Sequence, residues 1–294
     1  MDIMKTIVTH SGAFHADDVF AVATLQLVFG VEEVTVVRSR DEGVMTAADI
    51  VVDVGGIYDV ATQRFDHHQI GAPVRANGIP YAAFGLVWQT YGEQVGGLLA
   101  VATALEKKIV LAVDADDNGI TLTDVRDSDI PPFELAQVIR SFVPERGSDA
   151  NIDEAFLEAV VFARGLLSRL IVKKTASLAM EAVVAANYAA AVDKRVLVFT
   201  ESVAAGACID YPDVMVVVMP DNPAINQNWL ASTVRVAHDT FDARACFPEA
   251  WRGLRDAELV AASGIPDAVF CHKAGFMFVA GSKEGAMMAA EMVQ

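Results

Sequence analysis

The sequence has few cysteines and no long hydrophobic run, and each shortage excludes a class of protein. Its three cysteines, Cys208, Cys246 and Cys271, are odd in number, widely spaced and set among apolar neighbours. Free thiols in a reducing compartment are the simplest interpretation, and a cysteine-based zinc site is not indicated. No apolar run reaches the roughly 18–20 residues that span a bilayer, and residues 1–5 do not resemble a signal peptide. We therefore expect a soluble, cytoplasmic protein that does not contact a membrane.

Positive charge is also scarce. The chain has 22 Lys and Arg residues against 39 Asp and Glu residues, which gives a net charge of −17. A protein that holds nucleic acid mainly by neutralising phosphates should be basic, at least on one face. The composition therefore argues against a tight, non-specific duplex binder. It is compatible with a small phosphoester, or with the end of a short strand held in a local pocket.

The first half of the chain alternates short β-type runs with helix-like segments. The 294 residues, 53% of them hydrophobic, are enough for a large core and two domains. The alternation favours an α/β fold with a doubly wound, mostly parallel sheet. The predicted strands are 5–10, 33–38, 50–54 and 63–66. The predicted helices are 17–29, 81–91 and 97–113.

The pattern changes at Ile130, Pro131 and Pro132, where the two prolines end any helix. After a short helical piece at 133–142, a long helical tract runs from 153 to about 191. It is either one helix or two helices that meet at its only glycine, Gly165, and in both cases we expect it to connect two domains. The remaining predicted elements are strands at 196–200, 214–219, 229–237 and 268–271 and a helix at 283–293.

The densest group of polar residues lies in segment 9–18, with the sequence THSGAFHADD. It places His10, His15, Asp17 and Asp18 between a predicted strand and a predicted helix. A strand, a polar turn and a helix form the arrangement that carries ligands to the carboxyl edge of an α/β sheet. Histidine and aspartate are common ligands of divalent cations. The alternative is a helix cap or a surface pair without a metal.

Two further clusters follow predicted strands. Asp53 comes after an apolar run and before a Gly-Gly turn, where burying an unpaired carboxylate is costly unless it caps a turn. Asp66, His67 and His68 end another β-type run. Adjacent strand residues point to opposite faces, so both histidines reach one site only from a loop or at a two-metal centre.

The fourth cluster, DADDNG at 114–119, ends a predicted helix. Carboxylates at a helix C-terminus oppose the helix dipole unless a cation is near, and the alternative is a solvated turn. Together the clusters supply enough nitrogen and oxygen ligands for two divalent ions. The candidate metal ligands are His10, His15, Asp17, Asp53, His67, His68, and Asp114 or Asp117.

These motifs occur in the order found in a known superfamily. His-x(4)-His-x-Asp, Asp-Val-Gly-Gly, Asp-His-His and a late Asp resemble the DHH phosphoesterases, which include RecJ-type exonucleases, oligoribonucleases and manganese-dependent pyrophosphatases. A closer resemblance is to the melanocyte-proliferating-gene (MYG) family, of UPF0160 type, and it rests on five motifs. These are THSGAFHADD (9–18), DHHQ (66–69), DADDNG (114–119), PEAWRGL (248–254) and HKAGF (272–276).

The resemblance implies a DHH-type catalytic domain at 1–150, a linker helix region at 151–192 and a smaller α/β carboxy-terminal domain at 193–294. It also implies a metal-dependent hydrolase, a phosphodiesterase with 3′-to-5′ exonuclease activity on short RNA or DNA and a two-metal mechanism. Two Mn²⁺ ions are expected, because a mixed His and carboxylate set favours Mn²⁺ over Mg²⁺, although Mg²⁺ or another divalent ion stays open.

Individual roles follow from the same resemblance. The predicted catalytic residues are Asp17, Asp53, His67 and His68. Asp66 either orients the two histidines or is itself a ligand. Other superfamily members carry Asp where His15 stands, although the MYG family has His there, so the ligands or occupancy of one metal position are expected to differ.

The carboxy-terminal domain is predicted to bind the phosphates of a short single-stranded nucleic acid or a small phosphoester. Its candidates are Arg235, His238, Arg244, Arg252, His272, Lys273, Ser282 and Lys283. Trp251 and Phe276 either stack a base or belong to the core. One alternative function is a small-molecule phosphohydrolase acting on pyrophosphate or a nucleotide, and another is a non-catalytic metal- or nucleotide-binding protein. A homo-oligomer is also open.

Overall fold

The structure is a computed structural model that describes residues 4–123, 130, 132–222 and 224–294. The chain forms two compact units, Met1–Thr175 and Ala176–Gln294. The predicted helix stop at Pro131 lies outside the described residues. None of the described helices combines the length and the apolar character that crossing a membrane requires.

Five short strands form the sheet of the first unit: β1 (Lys5–Thr9), β2 (Val34–Arg38), β3 (Ile50–Val52), β4 (Tyr58–Asp59) and β5 (Arg64–Phe65). Their order in the sheet is β2-β1-β3-β5-β4. The strands β2, β1, β3 and β5 are parallel to one another, and β4, at the edge, runs antiparallel to β5. Ile7, Val8 and Val52 on the central strands are fully buried, as expected of parallel strands covered on both faces. The predicted α/β class is confirmed.

The helices of the first unit are α1 (Ala16–Phe29), α2 (Glu42–Ala47), α3 (Ala83–Gly96), α4 (Leu99–Leu105), α5 (Leu111–Asp117) and α6 (Leu135–Arg140). Residues 16–26 of α1 are all buried, because α1 is apolar around most of its circumference and packs mainly against α3. A single π-helical turn, Glu106–Val110, joins α4 to α5. The predicted helix at 97–113 is therefore three helical segments that continue to Asp117.

The long tract forms a single helix, α7 (Ile152–Ala190), and the two-helix alternative is wrong. Gly165 lies inside it, and one interior glycine costs only about 1 kcal/mol relative to alanine. In the first unit α7 buries one stripe, formed by Phe156, Ala159, Val160, Ala163 and Leu167. That spacing is the helical period of an amphipathic face. The division between the two units falls within α7.

The second unit contains a five-stranded mixed sheet. Its strands are β6 (Val196–Val198), β7 (Val216–Pro220), β8 (Trp229–Thr233), β9 (Ala268–Cys271) and β10 (Met277–Ala280), and its helices include α8 (Asp256–Ser263) and α9 (Lys283–Ala290). The strand order is β6-β7-β8-β10-β9, with only β6 and β7 parallel. Phe247, Trp251 and Phe278 pack in the core on one face, with apolar residues of α8 and α9. Phe199, Val217 and Met219 belong to a second core cluster.

Candidate metal centre

Three parallel strands end side by side at one edge of the first sheet, and a predicted ligand lies just beyond each of them. His10 directly follows β1, Asp53 directly follows β3, and His67 follows β5 after one residue. Because β3 lies between β1 and β5, the three side chains meet at the same edge. The alternation of short strands and helices in the sequence is thus what brings residues 43 and 57 positions apart from His10 into one site.

Two helix ends supply the other carboxylates. Asp17 and Asp18 lie in the first turn of α1, and Asp117 is the last residue of α5. His15 occupies the position before α1, and its backbone N–H donates to the Asp18 carboxylate at 3.0 Å. This contact makes Asp18 a helix cap, which is the structural role that the sequence left open for the cluster.

The imidazoles and carboxylates lie within contact distance of one another. His10 Nε2 is 3.1 Å from Asp18 Oδ2 and 3.3 Å from Asp53 Oδ2. His67 Nε2 is 3.2 Å from Asp53 Oδ1, and 3.2 Å from Asp117 Oδ2. Asp53 therefore contacts histidines that follow two different strands, and it lies at the middle of the cluster.

The ligand atoms form three overlapping groups in which all atoms lie within 4.8 Å of one another. The groups are His10, His15 and Asp53; Asp53, His67 and His68; and His15, Asp17 and Asp117. Asp53 and His15 each belong to two groups. The structure thus brings together seven of the eight predicted ligands, all except Asp114.

The backbone of Asp53 has a φ of +55°. Left-handed backbone is uncommon outside glycine, although aspartate and asparagine tolerate it better than most residues. The conformation turns the chain between β3 and the Gly55-Gly56 turn. Such strain is often concentrated at functional sites, because the surrounding structure must hold it in place.

Apart from the contacts between imidazoles and carboxylates given above, several polar atoms of the cluster are buried without a hydrogen-bond partner. They are Asp17 Oδ1, Asp18 Oδ2, Asp53 Oδ1 and His67 Nε2. Buried polar atoms are normally paired, since an unpaired one costs free energy. A divalent cation accepts electron pairs from oxygen and from unprotonated imidazole nitrogen, so it would satisfy atoms of both types. The donor set therefore fits a metal of the Mn²⁺ class.

Burial and neighbouring charges shift the pKa values of this cluster. Burial alone would lower the pKa of His10, but hydrogen bonds to Asp18 and Asp53 outweigh it and raise the pKa to about 10. Burial would raise the pKa of Asp53, yet the imidazoles of His10 and His67 lower it to about 2. Burial and the nearby carboxylates, Asp53 foremost, raise the pKa of Asp17 well above its usual value. In the absence of a metal the cluster thus holds protons at neutral pH.

We expect Mn²⁺ binding to metal-free protein to release protons at neutral pH. His10, with a pKa near 10, and Asp17, with a raised pKa, carry protons that a cation must displace. The release should be at least about one proton per protein, and apparent affinity should rise with pH. Titration calorimetry at pH 7 in two buffers of different ionisation enthalpy measures the number. Identical heats in the two buffers would contradict the prediction.

Asp66 has the geometry of an orienting residue. Its Oδ1 lies 2.7 Å from His68 Nδ1 and accepts the backbone N–H of His67 at 2.8 Å, while Oδ2 accepts the N–H of Gly56. With its oxygens engaged in this way, Asp66 fixes the turn that carries both histidines. Of the two roles that the sequence left open, the contacts support the orienting one.

Asp114 lies outside the three ligand groups. Its Oδ1 accepts the N–H of Gly85 at 3.0 Å, and its Oδ2 lies 2.7 Å from Arg75 Nη2. Arg75 also donates to Glu106, which belongs to the π-helical turn. The carboxylate is therefore occupied by a buried ion pair that ties α5 to α3 and to the preceding loop. Of the two late aspartates, Asp117 is the one that belongs to a group whose atoms could hold a metal ion.

Two buried arginines near the site gave no sequence signal. Arg75 is one of them, and Arg38 is the other. Arg38 Nη2 donates to the carbonyl of Gly12 at 2.5 Å, and Nη1 lies 2.7 Å from Asp153 at the start of α7. It therefore holds the loop between His10 and His15. The ion pairs of Arg38 with Asp153 and of Arg75 with Asp114 join positions far apart in the sequence, so no local pattern could have revealed them.

Several phosphate-binding candidates of the second unit already have partners in the structure. Arg244 donates to the carbonyls of Ile209, Tyr211 and Val214, which is a structural role. Arg235 donates to the carbonyl of Thr240, and His238 lies 3.2 Å from the Asp210 carboxylate. The Ser282 hydroxyl accepts the N–H of Gly285, and the Lys283 ammonium lies over the Trp229 ring. Trp251 is 4% exposed and belongs to the core, so it does not stack a base.

The remaining candidates, Arg252, His272 and Lys273, lie together on and beside the hairpin that joins β9 to β10. Arg252 donates through Nε to the Phe247 carbonyl at 3.0 Å. Lys273 is exposed at the turn. These three stay predictions as substrate-binding residues.

The chain is similar over almost its whole length to proteins of one family. The MYG1 exonuclease family model, described as "Uncharacterised protein family (UPF0160)", matches residues 6–293. A MYG1 protein of Saccharomyces cerevisiae is 32% identical over 98% of this chain and 95% of its own length. The MYG1 protein of Chlamydia muridarum is 31% identical over 100% and 98%, respectively. The human MYG1 exonuclease is 28% identical over 95% and 83%.

Among solved structures, a pGpG-specific phosphodiesterase from Vibrio cholerae covers 94% of this chain and 92% of its own. The sequence identity is 13% and the TM-score is 0.35, and at that TM-score the likeness supports no argument. The family model and the yeast and chlamydial relatives show the family of this chain, because these matches span nearly its full length. As its five motifs predicted, the chain belongs to the MYG family, the uncharacterised protein family UPF0160.

Proposed function

We propose that this chain is a metal-dependent hydrolase of phosphodiester bonds, and that it acts as a 3′-to-5′ exonuclease on short RNA or DNA. The observation that carries the proposal is the cluster of three overlapping ligand groups, two of which contain Asp53. The human and rat relatives, each 28% identical, are named exonucleases, which supports the same activity. The DHH-type domain arrangement that the motifs resemble is part of this proposal.

Two divalent cations, most suitably Mn²⁺, would be held by residues of the three groups. When bound, they supply a coordinated water of lowered pKa and offset charge on the phosphoryl oxygens. The protein side chains divide the remaining work. Asp17 and Asp53 are buried carboxylates that would hold the ions, whereas His15 and His68 have side chains that are 55% and 62% exposed. Substrate and water reach the cluster from the exposed side of these two histidines.

Asp66 acts on the site through His68. The contact between Asp66 Oδ1 and His68 Nδ1 holds the ring beside Asp53, whose Oδ1 lies 3.5 Å from the same nitrogen. Arg38, at 3% side-chain exposure, fixes the loop that carries His15. Both are positioning residues, since neither belongs to any of the ligand groups.

The test is a substrate panel with metal-stripped and metal-restored protein. With Mn²⁺ we expect mononucleotides to be released from short oligomers labelled at the 5′ end, and a blocked 3′ end should prevent it. EDTA should abolish the reaction, and added Mn²⁺ should restore it. Pyrophosphate and mononucleotides belong in the panel, because the net charge of −17 also suits a small-molecule phosphohydrolase. Preferential hydrolysis of pyrophosphate would favour that alternative over the exonuclease.

A matched pair of variants tests the site itself. Asp117→Asn should lower the Mn²⁺-dependent rate by about 10- to 100-fold or more, because Asp117 contacts His67 within the cluster. Asp116→Asn, one residue earlier on the same helix, should leave the rate unchanged, since Asp116 pairs with Arg140 instead. Equal rates for the two variants would remove Asp117 from the site.

A further inference from the structure

The outer edge of β2 in the first sheet is open. β2 is the last strand at one side of the sheet and pairs with β1 alone. The Ser39 N–H donates to the Thr9 carbonyl, and the direction of the backbone groups alternates along a strand. Val34, Val36 and Arg38 therefore direct their N–H and C=O groups away from β1. Among the described residues, no hydrogen bond uses these outward groups.

β2 is the longest edge strand of the two described sheets. It has five residues, whereas the other edge strands, β4, β6 and β9, have two, three and four. Two of these shorter edges already have contacts. Asn187 donates to the Val198 carbonyl at the edge of β6, and Phe270 of β9 forms a bridge with Arg255. Of these edges, β2 is the one most suited to pairing with another chain.

β2 also lacks the features by which a strand blocks its own open edge. Proline, a bulge or an exposed charge on the strand normally prevents pairing with another chain. The sequence of β2, VTVVR, contains no proline, and all five residues pair with β1 in regular register. Its one charged side chain, Arg38, is 3% exposed and is held by Gly12 and Asp153. A second strand therefore meets no obstacle on β2 itself.

An apolar surface borders this edge. A groove of about 260 Å³ lies between β2 and the start of α7, and Val36, Phe156 and Leu157 are among its lining residues. Leu157 and Val161, one helical turn apart on α7, are 43% and 57% exposed. Burial of apolar surface drives the association of chains. A strand added at β2 would therefore cover apolar side chains as well as backbone groups.

The charges that flank β2 have opposite signs at its two ends. Glu32 and Glu33 lie just before the strand, and Arg40 lies just after it. All three side chains are exposed. Within the described residues none of them forms an ion pair, and Arg40 donates to the Ser11 carbonyl at 3.4 Å. Two antiparallel copies of β2 would bring the acidic end of each beside the basic end of the other, which is favourable across strands.

The direction of the backbone groups selects the register of such a pair. Antiparallel strands exchange hydrogen bonds between residues whose backbone groups face each other. A two-fold axis at Val36 pairs Val36 with its own copy and Val34 with Arg38 of the second copy, so all three outward-facing residues are used. The same register places Glu32 opposite Arg40 of the second copy. Hydrogen bonding and charge therefore favour the same arrangement.

We propose that two copies of this chain associate through β2, paired antiparallel about a two-fold axis at Val36, which joins two five-stranded sheets into one. The partner is a second copy because the edge is complementary to itself in both charge and hydrogen bonding. Such a contact uses the same surface on both chains, so it closes as a dimer and does not continue into a filament. The proposal does not rest on the proposed function, since it uses none of the ligand groups.

Sedimentation equilibrium of the full-length protein over a range of concentrations tests the proposal, and we expect a reversible equilibrium of monomer and dimer. Val36→Pro removes two hydrogen bonds of the dimer and should weaken it about tenfold or more. The monomer should keep its melting temperature, because the Val36 N–H points away from β1 and proline is tolerated on edge strands. Val36→Thr keeps the N–H and should dimerise like the unaltered protein.

A charge exchange tests the register. Arg40→Glu in one protein, and Glu32→Lys with Glu33→Lys in another, should each weaken self-association about tenfold or more, since like charges then face each other twice. Mixing the two proteins should restore a mixed dimer, because each acidic end again faces a basic end. Native mass spectrometry of the mixture counts the three dimers. Arg195→Glu, an exposed arginine beside the edge strand β6, is the control and should leave the equilibrium unchanged.

Three results would overturn the proposal. The first is an unaltered protein that stays monomeric at every concentration, which would leave the edge of β2 to a different partner. The second is a Val36→Pro protein that dimerises as tightly as Val36→Thr. The third is a mixture of the two charge-altered proteins in which mixed dimers are no more abundant than random exchange of chains gives.

Discussion

Replacing Asp53 with asparagine is expected to abolish metal binding and the proposed phosphodiesterase activity while keeping the fold. Asp53 lies 3.3 Å from His10 and 3.2 Å from His67, and it belongs to two of the three ligand groups. A neutral amide is a poor ligand beside two imidazoles, so the two groups that share Asp53 would lose their carboxylate. The fall should exceed about 100-fold, the upper range for residues that merely orient ligands.

The choice of asparagine separates chemistry from backbone strain. The φ of +55° at residue 53 suits asparagine about as well as aspartate. Alanine would add a left-handed penalty of about 1–2 kcal/mol. We therefore expect Asp53→Asn to melt close to the unaltered metal-free protein and Asp53→Ala to melt lower. Asp49→Asn, just before the opposite end of β3, is the control, since its amide oxygen can still accept the Thr6 N–H.

Metal content measured after dialysis, together with the Mn²⁺-dependent rate, checks the prediction. A stoichiometric Mn²⁺ content in Asp53→Asn would show that Asp53 is not an essential ligand. An unaltered melting temperature combined with lost metal would show that the carboxylate serves the site rather than the fold.

The sequence was informative about this site because its signals are local. A strand followed by His10, a strand followed by Asp53 and a run ending in His67 each occupy fewer than ten residues. The rule that parallel strands end at one edge then assembles them. The sequence indicated the positive φ of Asp53 only weakly, through the nearby Gly55-Gly56 pair. What the sequence left open, the choice between Asp114 and Asp117, depended on a partner 39 residues away, Arg75.

The same reasoning explains which elements were missed. No helix is predicted between the strands at 33–38 and 50–54, yet α2 forms there, and Asp41 caps it by accepting the N–H of Val44. Helix α8 was also not predicted. It ends at Gly264, which has a φ of +71°. The apolar pattern before this glycine is too short to indicate a helix. Strand β10 has four residues and depends on pairing with β8 and β9. Short elements of this kind are stabilised by tertiary contacts more than by propensity.

Replacing Arg75 with methionine is expected to produce the largest loss of stability among these changes. The Arg75 side chain is 7% exposed and lies 2.7 Å from Asp114, which is fully buried. Removing one partner of a buried ion pair leaves an uncompensated charge, at a cost of about 3–5 kcal/mol. Arg140→Met is the matched control, because its partner Asp116 lies on α5 like Asp114. Arg140 and Asp116 are partly exposed, and such pairs contribute about 0–1 kcal/mol.

The loss should depend on pH in a direction that identifies Asp114. Burial raises the pKa of Asp114 to about 7 even though Arg75 opposes it, so removing Arg75 raises the pKa further. A carboxyl group whose pKa is higher in the folded state binds more protons there, and stability then falls as pH rises. The deficit of Arg75→Met relative to the unaltered protein should therefore be smaller at pH 5 than at pH 8, measured by urea unfolding of metal-free protein. Asp114→Asn introduced into Arg75→Met should remove that pH dependence and recover part of the stability. A deficit that is equal at both pH values would mean that the buried carboxylate is not its cause.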